Sequence, residues 1–272
     1  MIKIHKSQTK GNFWENNKEE IVYRYCILKE STSKISETFK CDKSTILKHL
    51  KSWDVSIRKQ RCNAKYQINI DRFKTLNNEL EAYWFGMFLA DGHLSKDNVL
   101  MLTLKDREMI EQFRQFLETD APIKQDKNKN YFINIRSKNL AETLRNKGIH
   151  NRKSYFLDLE KMLSFIPANM FHHFLRGLFD GDGCIKRYTY KYFKKPQYHF
   201  GMTGLYDTCL LFKKQFNIDR KLVKESDICY TCVTRNPQKI IEIMKFLYDD
   251  ATIYLQRKYM VFESIVKDLQ RL

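Results

Sequence analysis

The sequence predicts an α+β fold: a small all-helical module followed by two copies of one helix-and-strand unit. Three observations carry that reading. A short apolar helical pattern ending in Asp-Gly occurs twice, the same order of strands and helices follows each copy, and residues 1–56 hold short helical patterns with no strand-like run. A chain of 272 residues is long enough for such a division, and 43% hydrophobic with 14% aromatic residues supplies a core and excludes wholesale disorder.

Lysine and arginine number 49 against 32 acidic residues, a net charge of +17 that is spread along the chain instead of gathered in a tail. Such a surface suits a polyanion, with nucleic acid the leading partner and plain solvated basic faces the alternative. The longest apolar run, Ala82 to Ala90, falls short of the roughly 20 residues a membrane helix needs, and MIKIHKSQTK at the start has no apolar leader. A soluble, cytoplasmic protein with no membrane partner is therefore expected. The seven irregularly spaced cysteines fit free thiols in a reducing compartment. Cys229 and Cys232 have C-x-x-C spacing, but no second pair accompanies them and ICYTCV reads as a buried strand.

The first helical pattern, over residues 19–29, carries Ile21, Val22, Tyr25, Cys26 and Leu28, and a second contains Ile35 and Phe39. Asp42 stands where it caps a third, whose apolar stripe is Ile46, Leu47, Leu50 and Trp53, while Ser44, Thr45, Lys48, His49, Lys51 and Ser52 face outward. This rhythm is similar to a helix-turn-helix, in which the third helix enters the major groove with Ser44, Thr45, Lys48 and Lys51 in contact with DNA. A helical bundle built for protein contacts is the alternative. Arg58 belongs to the basic string at 57–61, and residues 57–78 read as a basic linker that runs along a groove.

The repeated motif is YWFGMFLADG at 83–92 and FLRGLFDGDG at 174–183, with Asp91 and Asp182 91 residues apart. After the first come VLMLTLK (99–105), an amphipathic helix (107–117), YFINIR (131–136) and a helix (140–146). After the second come HFGMTG (199–204), a helix (210–216), ICYTCVTR (228–235) and a helix (238–247). The copies close on NRKS and QRKY, which places Lys153 and Lys258 in correspondence; the units are read as 79–165 and 166–272. Gly86 and Gly177 sit inside helical patterns at about 1 kcal/mol each in propensity, which makes sense where two helix backbones approach closely. Each aspartate then ends a helix, where the dipole disfavours negative charge, and symmetric packing sets the two carboxylates side by side. Such a pair wants a cation. Mg²⁺ fits, because it uses one or two carboxylates, keeps several waters and contacts phosphate oxygens.

At these residues the chain resembles the LAGLIDADG homing endonucleases: WFGMFLADG and LRGLFDGDG stand where that family has its namesake motif, and the similarity runs from about Leu80 to the C-terminus. The resemblance implies the monomeric two-motif class, with two pseudo-symmetric αββαββα repeats whose sheets form a saddle over the DNA major groove. It implies site-specific, metal-dependent double-strand cleavage leaving cohesive 3′ ends, with Mg²⁺ as cofactor and Mn²⁺ able to substitute, on a long double-stranded target. The source it implies is bacterial or phage, freestanding or intron-borne, with an organellar origin left open. Asp91 and Asp182 become the metal-binding catalytic acids, assisted by the carbonyls of Ala90 and Gly181, with Lys153 and Lys258 organising the attacking water or the phosphate. Asn134, Arg136 and Arg235 become strand-borne DNA contacts, and Lys105, Lys124, Lys127, Arg187, Lys191 and Lys194 complete the pool. Leu89 replaces the motif's first acid in copy one and Arg176 replaces a small residue in copy two; both bear on helix packing. A non-catalytic DNA-binding regulator and an intron RNA maturase use the same fold and stay open, although retention of both aspartates favours the nuclease.

Overall fold

The computed structural model describes residues 10–28, 30–57, 66–151, 158–189 and 195–270. The chain divides into two compact units, 1–61 and 62–272. Among the described residues no helix is long and apolar enough to cross a membrane.

The first unit contains α1 (Lys10–Asn16), α2 (Lys18–Cys26), α3 (Thr32–Thr38) and α4 (Lys43–Ser52). Ile21, Tyr25, Ile35, Ile46 and Leu50 close its core. Helix α1 has no counterpart in the sequence reading, and it changes the surface of α4. Trp14 stacks on His49 at 4.4 Å and 21°, and Glu15 accepts the Trp53 indole N–H at 2.9 Å. His49 is consequently half-buried instead of facing outward. Ser31 caps α3 by accepting the Lys34 N–H at 3.1 Å. Asp42 holds the N-cap position of α4 in extended backbone, but its side chain makes no capping bond. The α3–α4 turn is closed from the other side: Lys40 adopts φ 49° and the Cys41 N–H donates to the Ser36 carbonyl at 3.0 Å.

In the second unit α5 (Glu79–Asp91), β1 (Gly92–Leu94), β2 (Val99–Leu104), α6 (Arg107–Phe116), β3 (Lys124–Gln125), β4 (Tyr131–Arg136) and α7 (Lys138–Asn146) form one αββαββα repeat. After α8 (Leu159–Leu163) and a short 3₁₀ turn, the order recurs as α9 (Phe171–Asp182), β5 (Gly183–Tyr188), β6 (Gln197–Gly204), α10 (Tyr206–Gln215), β7 (Val223–Lys224), β8 (Tyr230–Thr234) and α11 (Pro237–Tyr248), before α12 (Gln256–Gln270). The sheets run β1-β2-β4-β3 and β5-β6-β8-β7, antiparallel throughout. Strand alternation sends Leu100, Leu102, Ile133 and Ile135 to the core of the first and Ile185, Phe200, Met202 and Cys232 to that of the second. Helices α5 and α9 pack on each other between them, buried on nearly every side over 81–89 and 173–180.

Residues 66–76 correct the reading of a linker. Phe73 and Leu76 are fully buried in the core of the second unit, both with positive φ, 65° and 53°. Asn69 donates to the Leu117 carbonyl at 2.9 Å, the Gln67 N–H to Asp120 at 2.7 Å, and Arg72 pairs with Glu118 at 2.6 Å. Two apolar anchors without a period leave no helix or strand signature in the sequence.

Candidate active site and nucleic-acid interface

The site is built by two glycines. A methyl group at Gly86 would overlap the Phe174 carbonyl oxygen and come within 2.9 Å of the Leu178 nitrogen; one at Gly177 would overlap the Tyr83 carbonyl oxygen and come within 2.8 Å of the Met87 nitrogen. Phe174 and Leu178 hold in the second motif the places of Tyr83 and Met87 in the first. The two contacts are therefore equivalents of each other, related by a pseudo-twofold axis that passes between the glycines. That axis delivers Asp91 and Asp182, the last residues of α5 and α9, as exposed neighbours. Ala90 packs against Gly181, and a methyl on Gly181 would lie 3.2 Å from Asp91 Oδ2. Gly92 and Gly183 close the last turns by donating to the Phe88 and Phe179 carbonyls, then lead directly into β1 and β5. Two carboxylates with the last-turn carbonyls of Ala90 and Gly181 make an all-oxygen donor set, which suits a hard divalent cation.

The ends of the two helices are supported differently. Lys258 of α12 is 4% exposed, and its ammonium donates to the carbonyls of Phe179, Asp180 and Gly183 at 2.5, 2.8 and 2.6 Å. All three of its donors are thus spent on backbone. Burial lowers its pKa to about 8, with the Asp180 charge the strongest opposing influence. The cation offsets the dipole at the end of the helix that carries Asp182. Asp180, 1% exposed, accepts from the Tyr83 hydroxyl at 2.9 Å, the Leu255 N–H at 2.8 Å and the Tyr248 hydroxyl; burial raises its carboxyl pKa. Leu89 occupies the matching place in the first motif, so one half is apolar where the other is hydrogen-bonded. Lys153 lies outside the described residues.

Helix α6 packs on β2 and β4 and α10 on β6 and β8, leaving the opposite face of each sheet uncovered by them. By register Val99, Met101, Thr103, Lys124, Phe132, Asn134 and Arg136 share that open face in the first sheet. In the second it holds Lys186, His199, Thr203, Thr231 and Val233, with Arg235 continuing the line one residue beyond β8. Burial lowers the His199 pKa, followed by the charges of Lys186, Arg235 and Arg220, so cations gather on this face. Lys105 is exposed just past β2, and Lys127 is exposed in the β3–β4 turn, which Asp126 holds by accepting the Asn128 and Asn130 N–H groups at 2.8 Å each. Arg187 departs from expectation: it shares the inner face with Ile185 and grips Asp268 of α12 at 2.6 and 3.1 Å. Its spacing of two from the apolar Ile185 was the available signal. In the first unit Ser44, Lys48 and Lys51 are exposed and Thr45 is half-buried. Arg58, Lys191 and Lys194 lie outside the described residues.

Residues 78–147 match the LAGLIDADG-like domain family, and the structure adds the second repeat with its equivalent motif helix. Residues 78–147 therefore carry a LAGLIDADG-like domain. Meganuclease I-SmaMI bound to uncleaveable DNA shares its fold with a TM-score of 0.52 at 14% identity, over 70% of this chain and 90% of that one. For LAGLIDADG meganuclease I-CpaMI bound to uncleaved DNA the figures are 0.52, 12%, 71% and 92%. I-SmaMI bound to its uncleaved target in the presence of calcium ions gives 0.50, 14%, 71% and 92%. At these identities the likeness is one of fold. The replication factor C small subunit of Methanocaldococcus jannaschii is 30% identical over 118 residues, 41% of this chain but 6% of that protein, so the chain spans a small fraction of its relative.

Sequence reasoning missed the partners of Arg176. The guanidinium is fully buried and donates to the carbonyls of Leu247 and Ile253 at 2.9 Å each, to His173 Nδ1 at 2.8 Å and to Glu79 at 2.5 Å. Two of its acceptors lie at 247 and 253 and a third at 79, beyond the reach of any local pattern. Among the described residues one group of three His, Cys, Asp or Glu side chains has its ligand atoms close together: His172, His173 and Asp250, within 4.8 Å of one another. Arg176 can only donate, so His173 Nδ1 is an acceptor and the proton sits on Nε2, the nitrogen facing Asp250. That tautomer offers no lone pair to an ion. Cys229 and Cys232, three apart along an extended segment, point to opposite sides, and Cys232 is buried.

Proposed function

We propose that this chain is a site-specific endonuclease that cuts both strands of a long double-stranded DNA target as a monomer, leaving cohesive 3′ ends. The observation that supports it is the pair Asp91 and Asp182, delivered side by side by helices whose backbones touch at Gly86 and Gly177. The two carboxylates, with the carbonyls of Ala90 and Gly181, would hold Mg²⁺ or Mn²⁺, which when bound supplies charge neutralisation at the scissile phosphates and acidity for the attacking water. Each aspartate serves one strand. Lys258 acts as a positioning residue, fixing the helix end that carries Asp182 through three carbonyls. The open sheet faces grip the major groove, and α4 adds a second contact to flanking DNA through Ser44, Thr45, Lys48 and Lys51. The DNA-bound state of the fold relatives I-SmaMI and I-CpaMI supports duplex DNA as the partner.

The test is end-mapping of breaks in genomic DNA treated with the purified chain and Mg²⁺, beside the Asp91→Asn/Asp182→Asn double variant. Breaks at one or a few sites that vanish with the variant are expected. Breaks by the double variant at the rate of the unaltered chain would refute the reading.

A further inference from the structure

Two arginines occupy equivalent places on the open faces of the two sheets. Leu102 stands opposite Gly92 and Ile133, as Met202 stands opposite Gly183 and Cys232, which aligns the strands of the two repeats. Outward from the motif helices, the first open face presents the cross-strand pairs Thr103 with Phe132, Met101 with Asn134, and Val99 with Arg136. The second presents Thr203 with Thr231 and Gly201 with Val233, and then Arg235 beside His199. Arg136 and Arg235 are both exposed, and among the described residues neither has an acid partner, whereas Arg187 and Arg257 are bound to Asp268 and Asp106.

The chemistry at matching positions is the same in one row and different in the next. An arginine fork matches the O6 and N7 acceptors of guanine, and an asparagine amide matches N6 and N7 of adenine. In an A·T pair the thymine methyl lies beside that adenine edge, so an amide next to an apolar side chain, as Asn134 is next to Met101, meets both halves of the pair. The second sheet has Val233 and Gly201 there and offers no hydrogen-bonding group. A methyl on Gly201 would come within 3.0 Å of His199 Nε2, so the glycine leaves room for the imidazole over the strand.

We propose that Arg136 and Arg235 read a guanine at equal distances from the cut centre in the two half-sites of the DNA target, and that Asn134 with Met101 reads an A·T pair nearer the centre in the first half-site alone. One row of the sheet spans two residues, so the A·T pair lies about two base pairs inside the guanine. This specificity rests on the DNA-cutting reading for its duplex partner and deepens it.

The test is selection of bound duplexes from a randomised library without divalent metal, using the full chain and its Arg136→Ala, Arg235→Ala and Asn134→Ala variants. The unaltered chain is expected to select two symmetry-related guanines and one inner A·T pair. Each arginine variant should relax its own guanine by roughly ten- to a hundred-fold and leave its mate intact, and Asn134→Ala should relax the inner pair only. Replacing that thymine by deoxyuridine, which removes only the methyl, should weaken binding several-fold, and the loss should disappear in Met101→Gly. Variants that weaken binding equally on every sequence, each lowering the salt slope by about one, would make the arginines phosphate anchors and overturn the proposal. Cutting at a unique site with no such pattern would refute the readers alone. Selection of the pattern by a chain that never cuts would sustain the readers and refute the nuclease.

Discussion

Replacing Gly177 by alanine sets two effects of opposite sign against each other. Alanine favours the helix by about 1 kcal/mol. The added methyl, however, overlaps the Tyr83 carbonyl oxygen and would sit 2.8 Å from the Met87 nitrogen and 2.9 Å from the Tyr83 carbonyl carbon. These are backbone atoms of a buried helix and cannot swing aside as a side-chain tip can. The helices must part, and a gap of 0.5–1 Å forfeits about a quarter to a half of each dispersion contact along the seam. Overpacking of this kind costs about 1–3 kcal/mol before the loosened contacts are added. The net expectation is destabilisation by about 2–4 kcal/mol, which lowers Tm by roughly 4–16 °C in a body of this size. Calorimetric melting of the Gly177→Ala chain measures it, with Gly204→Ala as control, because a methyl there meets only Thr208 at 3.7 and 3.8 Å. Gly86→Ala should cost a similar amount, and the double variant less than the sum, since one separation of the helices relieves both overlaps. Full additivity, or a Gly177→Ala chain as stable as the parent, would refute the shared seam.

Arg176→Met leaves the carbonyls of Leu247 and Ile253 and the Glu79 carboxylate without their donor, and should cost about 3–5 kcal/mol by urea unfolding; a loss under 1 kcal/mol would contradict the buried hub. His173 is held at a pKa of about 4, below its ordinary 6.5, first by burial and then by Arg176. Between those values the unfolded chain takes up a proton that the folded chain refuses, so stability falls as pH drops through this window; His173→Gln should show a smaller fall, read as urea midpoints at pH 7 and 5. Removal of residues 1–61, which form their own contact unit, should weaken duplex binding and flatten its salt dependence, and an unchanged slope would show that α4 does not touch DNA.

The sequence made the motif helices legible because the glycine, the Asp-Gly end and the downstream order recur together at one offset, and any one of these alone is an ordinary helix stop. Strand parity was equally readable: Asn134 and Arg136 alternate with buried Ile133 and Ile135. The same rule applied to Ile185 gives the inward side of Arg187 that a simple census of cations overlooked. What stayed hidden depends on distant chain. Nothing near Arg176 announces carbonyls at 247 and 253, and nothing near Asp180 announces the hydroxyls of Tyr83 and Tyr248. Phe73 and Leu76 took left-handed backbone to reach the core, a choice made by tertiary packing against local preference.

The ammonium that caps the second motif helix comes from α12, long after Asp182 in the order of synthesis. A ribosome releases both aspartates and both glycines before it has made Lys258. During that interval the nascent chain holds Asp182 at the end of a helix whose final carbonyls lack their cation, and a product truncated in that interval stays in that state. The polypeptide's own schedule therefore places completion of the second centre among the last events of its maturation.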